Sequence, residues 1–419
     1  MADEESVLRN HRIEWVPETT KGIPPTNPNW TKFSEEVTDV SWDPDPGTDE
    51  RRKIGDPDVS TFLKGSETHG LTFTYDMYTF PVDGSGNPVS ADAYALLRAT
   101  DNGLEASHTT VVREENESIP AAETWNGSTS YDTRLFLVGL GCSGDTVAYN
   151  GDPGSDAAIV TELGYQAQKV RKYQIDQPPA ATAITAVSSD AADDSQTLTL
   201  EDEDAGVSED VSLNGTTAVT TTAETFADID VAYLDAETVG DVTIAINDAS
   251  PPTVTPGDTL TVLYGSDHYG GTEGDQGIPP LGTGSHDTSD LGSPENILGD
   301  TIERPSGTTL AWEINSVAFE VANNIENRAR VTSVGPGTSP GDREPEVSAT
   351  VVGPTESVKA ADAALSVEEA NIIWTLTGGT FQLDTATLMD APGVDKSQGD
   401  ASMALDETFR GKGVTVTAA

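Results

Sequence analysis

Only one cysteine, Cys142, occurs in 419 residues, which excludes an internal disulfide framework and a cysteine cage around a metal. Basic residues are scarce too. Nine lysines and thirteen arginines face 71 Asp and Glu, for a formal charge of −49. That balance excludes a protein that grips nucleic acid through a basic footprint, and argues against docking on an anionic membrane. No apolar run approaches the roughly 18 residues that span a bilayer. The opening Met1-Ala2-Asp3-Glu4-Glu5 is acidic and without an apolar stretch, so it is not expected to act as a signal peptide.

Catalytic signatures are missing as well. The five histidines, His11, His69, His108, His268 and His286, show no metal-ligand spacing. There is no Walker A, no G-x-S-x-G and no Cys-x-x-Cys. Ser285-His286-Asp287 holds three triad residue types, but as neighbours, whereas a triad is brought together by folding. Cys142, between small residues, reads as a buried structural thiol rather than a nucleophile. Asp43-Pro44-Asp45 and Asp202-Glu203-Asp204 read as solvated acidic loops rather than Ca²⁺ or Mg²⁺ sites. Neither an enzymatic activity nor a cofactor or metal is expected.

What the chain has in plenty is acid, and two readings compete for it. Disorder would follow from low hydrophobicity and high charge. The many strand-like runs oppose that reading. A folded protein adapted to molar salt fits better, because there the Debye length falls to roughly 3 Å and self-repulsion is screened. Such a protein is expected to lose its structure at low salt.

Between Lys172 and Arg304 there is no Lys or Arg, while 26 acidic residues occur. Gln177-Pro178-Pro179 opens this window as a linker. Short Thr/Val/Ile-rich runs follow at Ala183–Val187, Gln196–Leu200, Val207–Leu213, Ala218–Thr222, Val239–Asn247 and Thr259–Leu263, separated by turn residues. They predict an immunoglobulin-like β-sandwich over 177–266. The Gly-dense stretch from Tyr264 to His286 reads as an extended loop leaving it.

The flanks, 1–176 and 267–419, share a pattern. Phe33–Trp42 is followed by a polar loop with Arg51, Arg52 and Lys53, then a strand Leu71–Tyr78. Leu310–Phe319 is followed by a loop with Arg328, Arg330 and Arg343, then a strand Glu346–Val352. Each then has a helical stretch, Ser90–Thr100 with Ala93, Leu96 and Leu97 on one face, and Ala360–Ala370 with Ala361, Ala364 and Leu365. An internal duplication is one reading; common β composition is the other. In Leu71–Tyr78, Thr72, Thr74 and Asp76 alternate with apolar residues, as Ser348 and Thr350 do in the second strand.

Ile13-Glu14-Trp15-Val16-Pro17-Glu18-Thr19-Thr20-Lys21-Gly22-Ile23-Pro24-Pro25-Thr26-Asn27-Pro28 resembles the opening of tail tube proteins from tailed double-stranded DNA viruses. The strand, basic loop and polar-alternating strand that follow are similar to that family, as are Asn323-Asn324-Ile325-Glu326 and Gly341-Asp342-Arg343-Glu344 in the later part. The resemblance covers roughly 1–80 and 305–419; the middle segment departs from it. It implies a mainly β chain with two tail-tube modules, each carrying a short helix, around an inserted Ig-like sandwich. It further implies rings of three or six copies stacked into a hollow tube in the virion tail, assembled in the host cytoplasm; the acidic composition makes the expected host a haloarchaeon. Partners would be tape measure, tail terminator and baseplate proteins, with DNA passing unbound. Thr72, Thr74, Asp76, Ser348 and Thr350 would then face the lumen. Arg51, Arg52, Lys53, Arg328, Arg330 and Arg343 would sit on loops reaching a neighbour. A capsid decoration or surface-adhesion protein is the alternative.

Overall fold

The computed structural model describes residues 11–32, 34, 37–45, 48–52, 59–64, 68–98, 107–114, 133–152, 158–203, 205–250, 253–271, 273–281, 293–297, 300–303, 313–328, 337–339, 341–353, 370–389, 394–395 and 403–419. Among these residues there are 27 strands and one helix, the mainly β architecture that the sequence predicts. Sixteen strands join into one antiparallel sheet that runs through both ends of the chain.

The pairing list repeats itself. In the first half, Val37–Asp45 pairs with Thr68–Asp76, which pairs with Ile159–Ala167, which pairs with the later part of the 19-residue strand Thr133–Gly151. The earlier part of that strand pairs with Lys169–Asp176 and His108–Glu114, and the latter with His11–Pro17. In the second half, Glu313–Ala322 pairs with Glu344–Gly353, which pairs with Met403–Arg410, which pairs with the end of Gly379–Leu388. The start of that strand pairs with Gly413–Ala418 and Ala370–Thr375, and the latter with Thr301–Glu303.

Registers therefore equate positions. Lys169 opposite Leu140 corresponds to Gly413 opposite Asp384. On this scale Gly141 (φ 62°) falls on Thr385 (φ 53°), so both long strands bend at a left-handed residue. The halves are a duplication in topology as well as in pattern. Each long loop of the pattern also holds a two-stranded ribbon, Thr48–Arg52 with Val59–Lys64 and Glu326–Arg328 with Gly337–Ser339.

Several boundaries differ from expectation. The helix spans Ala91–Arg98 and buries Ala91, Asp92, Ala93 and Ala95; the side chains of Leu96 and Leu97 lie outside the described residues. Gly144 leaves room for it, since a Cβ there would strike Ala95. The predicted helix at 360–370 lies outside the described residues except for Ala370, which opens a strand instead. The strand predicted at Leu71–Tyr78 is Thr68–Asp76, with alternating burial throughout.

One seam joins the halves. Glu313–Ala322 pairs antiparallel with Thr133–Gly151, from Val317 opposite Gly151 to Ala322 opposite Thr146. Behind it Phe381 stacks on Tyr149 (4.6 Å) and Phe319 (5.1 Å) and touches Phe80 (5.2 Å) and Trp374 (5.8 Å). Each such side chain contributes roughly 1.5–3 kcal/mol by leaving water. Asn323 closes the seam, donating to the Gly144 carbonyl at 2.9 Å, while Ile325 N–H donates to Asp145 Oδ1 at 2.8 Å.

Between the halves lies a two-sheet sandwich. One sheet orders Val219–Thr220, Ile184–Ser188, Val242–Asn247 and Pro256–Leu263; the other orders Val207–Ser212, Thr197–Asp202 and Val231–Leu234. The predicted runs are present, with Val239–Asn247 shortened to Val242–Asn247 and Ala218–Thr222 to Val219–Thr220. Val231–Leu234 was not expected; all four of its residues are buried, so it lacks alternation. The segment after Tyr264 returns beside it, with Ile278 N–H donating to the Ala232 carbonyl at 3.0 Å.

Candidate functional site: sheet edges and the polar face

In the row of strands that crosses both halves, burial alternates, so one face is apolar and buried and the other polar; elsewhere in the first half a second apolar face meets the sandwich. On the apolar face Leu71, Phe73, Tyr75 and Met77 pack in one core with Ala91, Ala93 and Ala95 of the helix and with Val317, Phe319 and Val347 of the second half. The opposite face gathers the hydroxyl and acidic candidates across both halves. Asp76, Val160, Asn150, Ala318, Ser348 and Thr408 form one cross-strand row. Thr74, Glu162, Ala148, Glu320, Glu346 and Arg410 form the next. Thr72 is exposed, and Thr74, Asp76, Ser348 and Thr350 are half-buried. By register, Thr72 is equivalent to Ser348, and Thr74 to Thr350.

This face is acidic. Glu320 has its pKa raised by burial and then by Glu346 and Glu162. Arg410 is the one cation in these two rows, 3.3 Å from Glu346 and 3.6 Å from Glu344. Sequence reasoning missed Glu162, Glu320 and Glu346, because only the cross-strand register puts them side by side.

The basic loop residues divide. Arg51 and Arg52 lie on the first ribbon and Arg328 on the second. Lys53 and Arg330 lie outside the described residues. Arg343 is half-buried, and burial pulls its guanidinium down to about 10.

Four other cations, which the sequence did not single out, clasp the sandwich to the first half. Arg134 pairs with Asp230 and Asp228, Arg12 with Glu203 (2.8 Å), Arg171 with Asp275 (2.9 Å), and Lys169 donates to the Gly274 carbonyl at 2.6 Å. Apolar residues between them, Phe136, Val138, Leu140, Tyr173 and Ile175, form one core with Ile184, Leu200 and Ile278 of the sandwich. A visible signal for this was the basic-free window, which needs its cations from outside.

Glu18, from the opening motif, is a buried structural node. Its carboxylate accepts from Gly22 N–H (2.8 Å), Gly141 N–H (2.9 Å), Thr109 Oγ1 (2.8 Å) and Ser107 Oγ. It fixes the Pro17–Gly22 turn to the bend of the long strand. Cys142 is buried and its thiol pKa is pushed up by burial and by Glu18, which leaves it unreactive. Among the described residues no group of three or more His, Cys, Asp or Glu could hold a metal ion, and no helix is long and apolar enough to cross a membrane.

Among the described residues, the row of strands that crosses both halves ends in an unpaired edge on either side, and other strands of the sheet, such as Lys169–Asp176 and Gly413–Ala418, also have one unpaired side. Among the described residues Val37–Asp45 pairs with Thr68–Asp76 alone, and the end of Gly379–Leu388 and the short strand Val394–Asp395 pair, on that side, only with Met403–Arg410. Open edges invite pairing with another chain. No protein-family model matches this chain, and no curated protein matches it.

Proposed function

We propose that this protein is a structural subunit of a viral tail tube, which self-associates into rings that stack into a hollow conduit for DNA. The observation that carries the reading is the row of strands crossing both halves, built by head-to-tail repetition and unpaired at its two ends among the described residues: a repeated unit with unlike, unpaired edges is what extends into a closed ring. The polar, acidic face would line the bore. DNA carries about one charge per 1.7 Å of axis, so a carboxylate and hydroxyl wall repels and releases it where a basic wall would hold it. The two ribbons leave equivalent hairpins in the same direction, so both reach toward one rim and suit contacts between rings. The acidity suits a haloarchaeal virus assembled in molar salt, and the reading assigns no catalytic step or cofactor.

Electron microscopy of the purified full chain in molar salt tests this. Long hollow tubes are expected. A population that stays monomeric at high concentration overturns the reading, and discrete particles would favour a capsid decoration protein.

A further inference from the structure

The sandwich leaves an aromatic patch exposed. Aromatic residues are scarce, at 6% of the chain. Among the described residues only five large hydrophobic side chains are exposed, and three of them gather here: Val239 (39%), Tyr264 (40%) and Tyr269 (36%). Single exposed apolar residues are ordinary, whereas a cluster marks a surface that a ligand or partner covers. His268 completes it, stacked on Tyr264 at 4.1 Å between centroids and edge-on to Tyr269 at 5.2 Å.

The patch is fixed in place by its backbone. His268 N–H donates to the Gly265 carbonyl and Tyr269 N–H to that of Ser266, both at 3.1 Å, which winds the chain through one tight turn. Ser266 N–H and Asp267 N–H donate to the Thr238 and Val239 carbonyls at 2.9 and 3.0 Å. Glycine is required at this crossing, because a Cβ on Gly265 would lie 2.3 Å from the Gly240 carbonyl oxygen. Asp241 accepts from Gly265 N–H at 3.0 Å, and its other oxygen lies 3.9 Å from His268 Nδ1. Tyr269 donates to Asp275 at 3.0 Å, the carboxylate that also pairs with Arg171. A surface held this way loses little conformational entropy when a ligand arrives.

The rings and their rim select the ligand. Tyr264 and His268 each spend one face on the other, so they form a flat step, and Arg171 already lies over the Tyr269 ring at 4.9 Å. That is not the enclosing cage that holds quaternary ammonium groups. Asp241 and exposed Asp267 stand beside the step. Carboxylates only accept, so they call for hydroxyl or N–H donors. In molar salt the attraction of a charged ligand is screened beyond roughly 3 Å, while stacking and direct hydrogen bonds persist. A pyranose ring answers each demand. One flat face carries C–H groups of partial positive charge, which lie well on the negative face of a π-system. Its edge carries hydroxyl donors, and it has no net charge.

We infer that the Tyr264–His268 step, rimmed by Asp241 and Asp267, binds a neutral pyranose residue of a glycan. This site rests on the sandwich and its junction with the first half, and does not depend on the tail-tube reading.

The test is saturation-transfer difference NMR on the full chain in molar salt. The probes are the methyl glycosides of glucose, galactose, mannose and N-acetylglucosamine, whose blocked anomeric carbon mimics a glycan residue, with choline as the cationic comparison. Saturation of the ring C–H protons of at least one glycoside is expected. Tyr264→Ala should raise its Kd about tenfold, and Tyr264→Phe should restore it. If Tyr264→Ala lowers the denaturant midpoint, Asp267→Ala on the exposed rim decides instead, with a severalfold rise expected. Binding of choline and of no glycoside overturns the sugar in favour of a cation. Binding of no probe overturns the site, and so does glycoside binding that both alanine variants leave unchanged.

Discussion

The two halves share a topology but present different outer faces. In the first half Phe136, Val138, Leu140 and Tyr173 point to the sandwich and are buried. Their register equivalents in the second half are Thr380, Gln382, Asp384 and Thr417, half-buried or exposed. The inward faces stay alike, with Cys142 and Ala386 both buried at one equivalent position. Duplication kept the residues that build the sheet, and the outward residues diverged with what covers them. A face that meets another domain turns apolar; one that meets water stays polar, because an unpaired buried polar group costs about 1–3 kcal/mol.

That contrast can be broken by mutation. Val138→Asp puts an unpaired charge between the first half and the sandwich and should cost at least about 3 kcal/mol. Gln382→Glu, at the equivalent place, loses the hydrogen bond Gln382 donates to Asp384 and sets two carboxylates side by side at a half-exposed surface, and should cost no more than about 1 kcal/mol. Denaturant unfolding in molar salt measures both, and equal losses would sink the idea that only one face is docked.

The shared bend sharpens the comparison at smaller scale. Thr385 holds φ 53° without glycine's freedom, so Thr385→Gly should gain about 1 kcal/mol. Gly141→Ala should lose about 1–2 kcal/mol, since its Cβ would lie 2.8 Å from Gln168 Cβ. Paired melting curves of the two variants should move in opposite directions.

A pH-dependent effect concerns Asp300, which accepts from Trp374 Nε1 at 3.0 Å beside the second half's edge strand. Burial raises its pKa to about 7 from a usual 3.8. The folded chain therefore binds a proton that the unfolded chain releases between those values. This site favours folding most at low pH and loses that contribution as pH rises toward 7. Asp300→Asn should melt above the parent at pH 8, with the difference vanishing by about pH 4. A difference independent of pH would rule out the titration.

Much of this was legible locally. The strand expected at Leu71–Tyr78 from its alternation is Thr68–Asp76, and the helix expected at Ser90–Thr100 from Ala93, Leu96 and Leu97 is Ala91–Arg98. Val231–Leu234 was hidden because a strand buried on both sides shows no period of two. The acidic rows were hidden for another reason: Glu162, Glu320 and Glu346 are far apart in sequence and meet only through register. Likewise Arg12, Arg134 and Arg171 look like ordinary strand cations until the sandwich brings Glu203, Asp230 and Asp275 to them.

Composition, alternation and turn residues by themselves determined that the chain is β-rich and acidic, because these depend on each residue's own preference and its near neighbours; the repeat was one of two readings until the strand pairing was seen. Which strand lies beside which, and so which edges stay open, was decided only in the tertiary structure. Any alternating strand can pair with many others, and the choice belongs to the aromatic core around Phe381, which forms only once both halves are present.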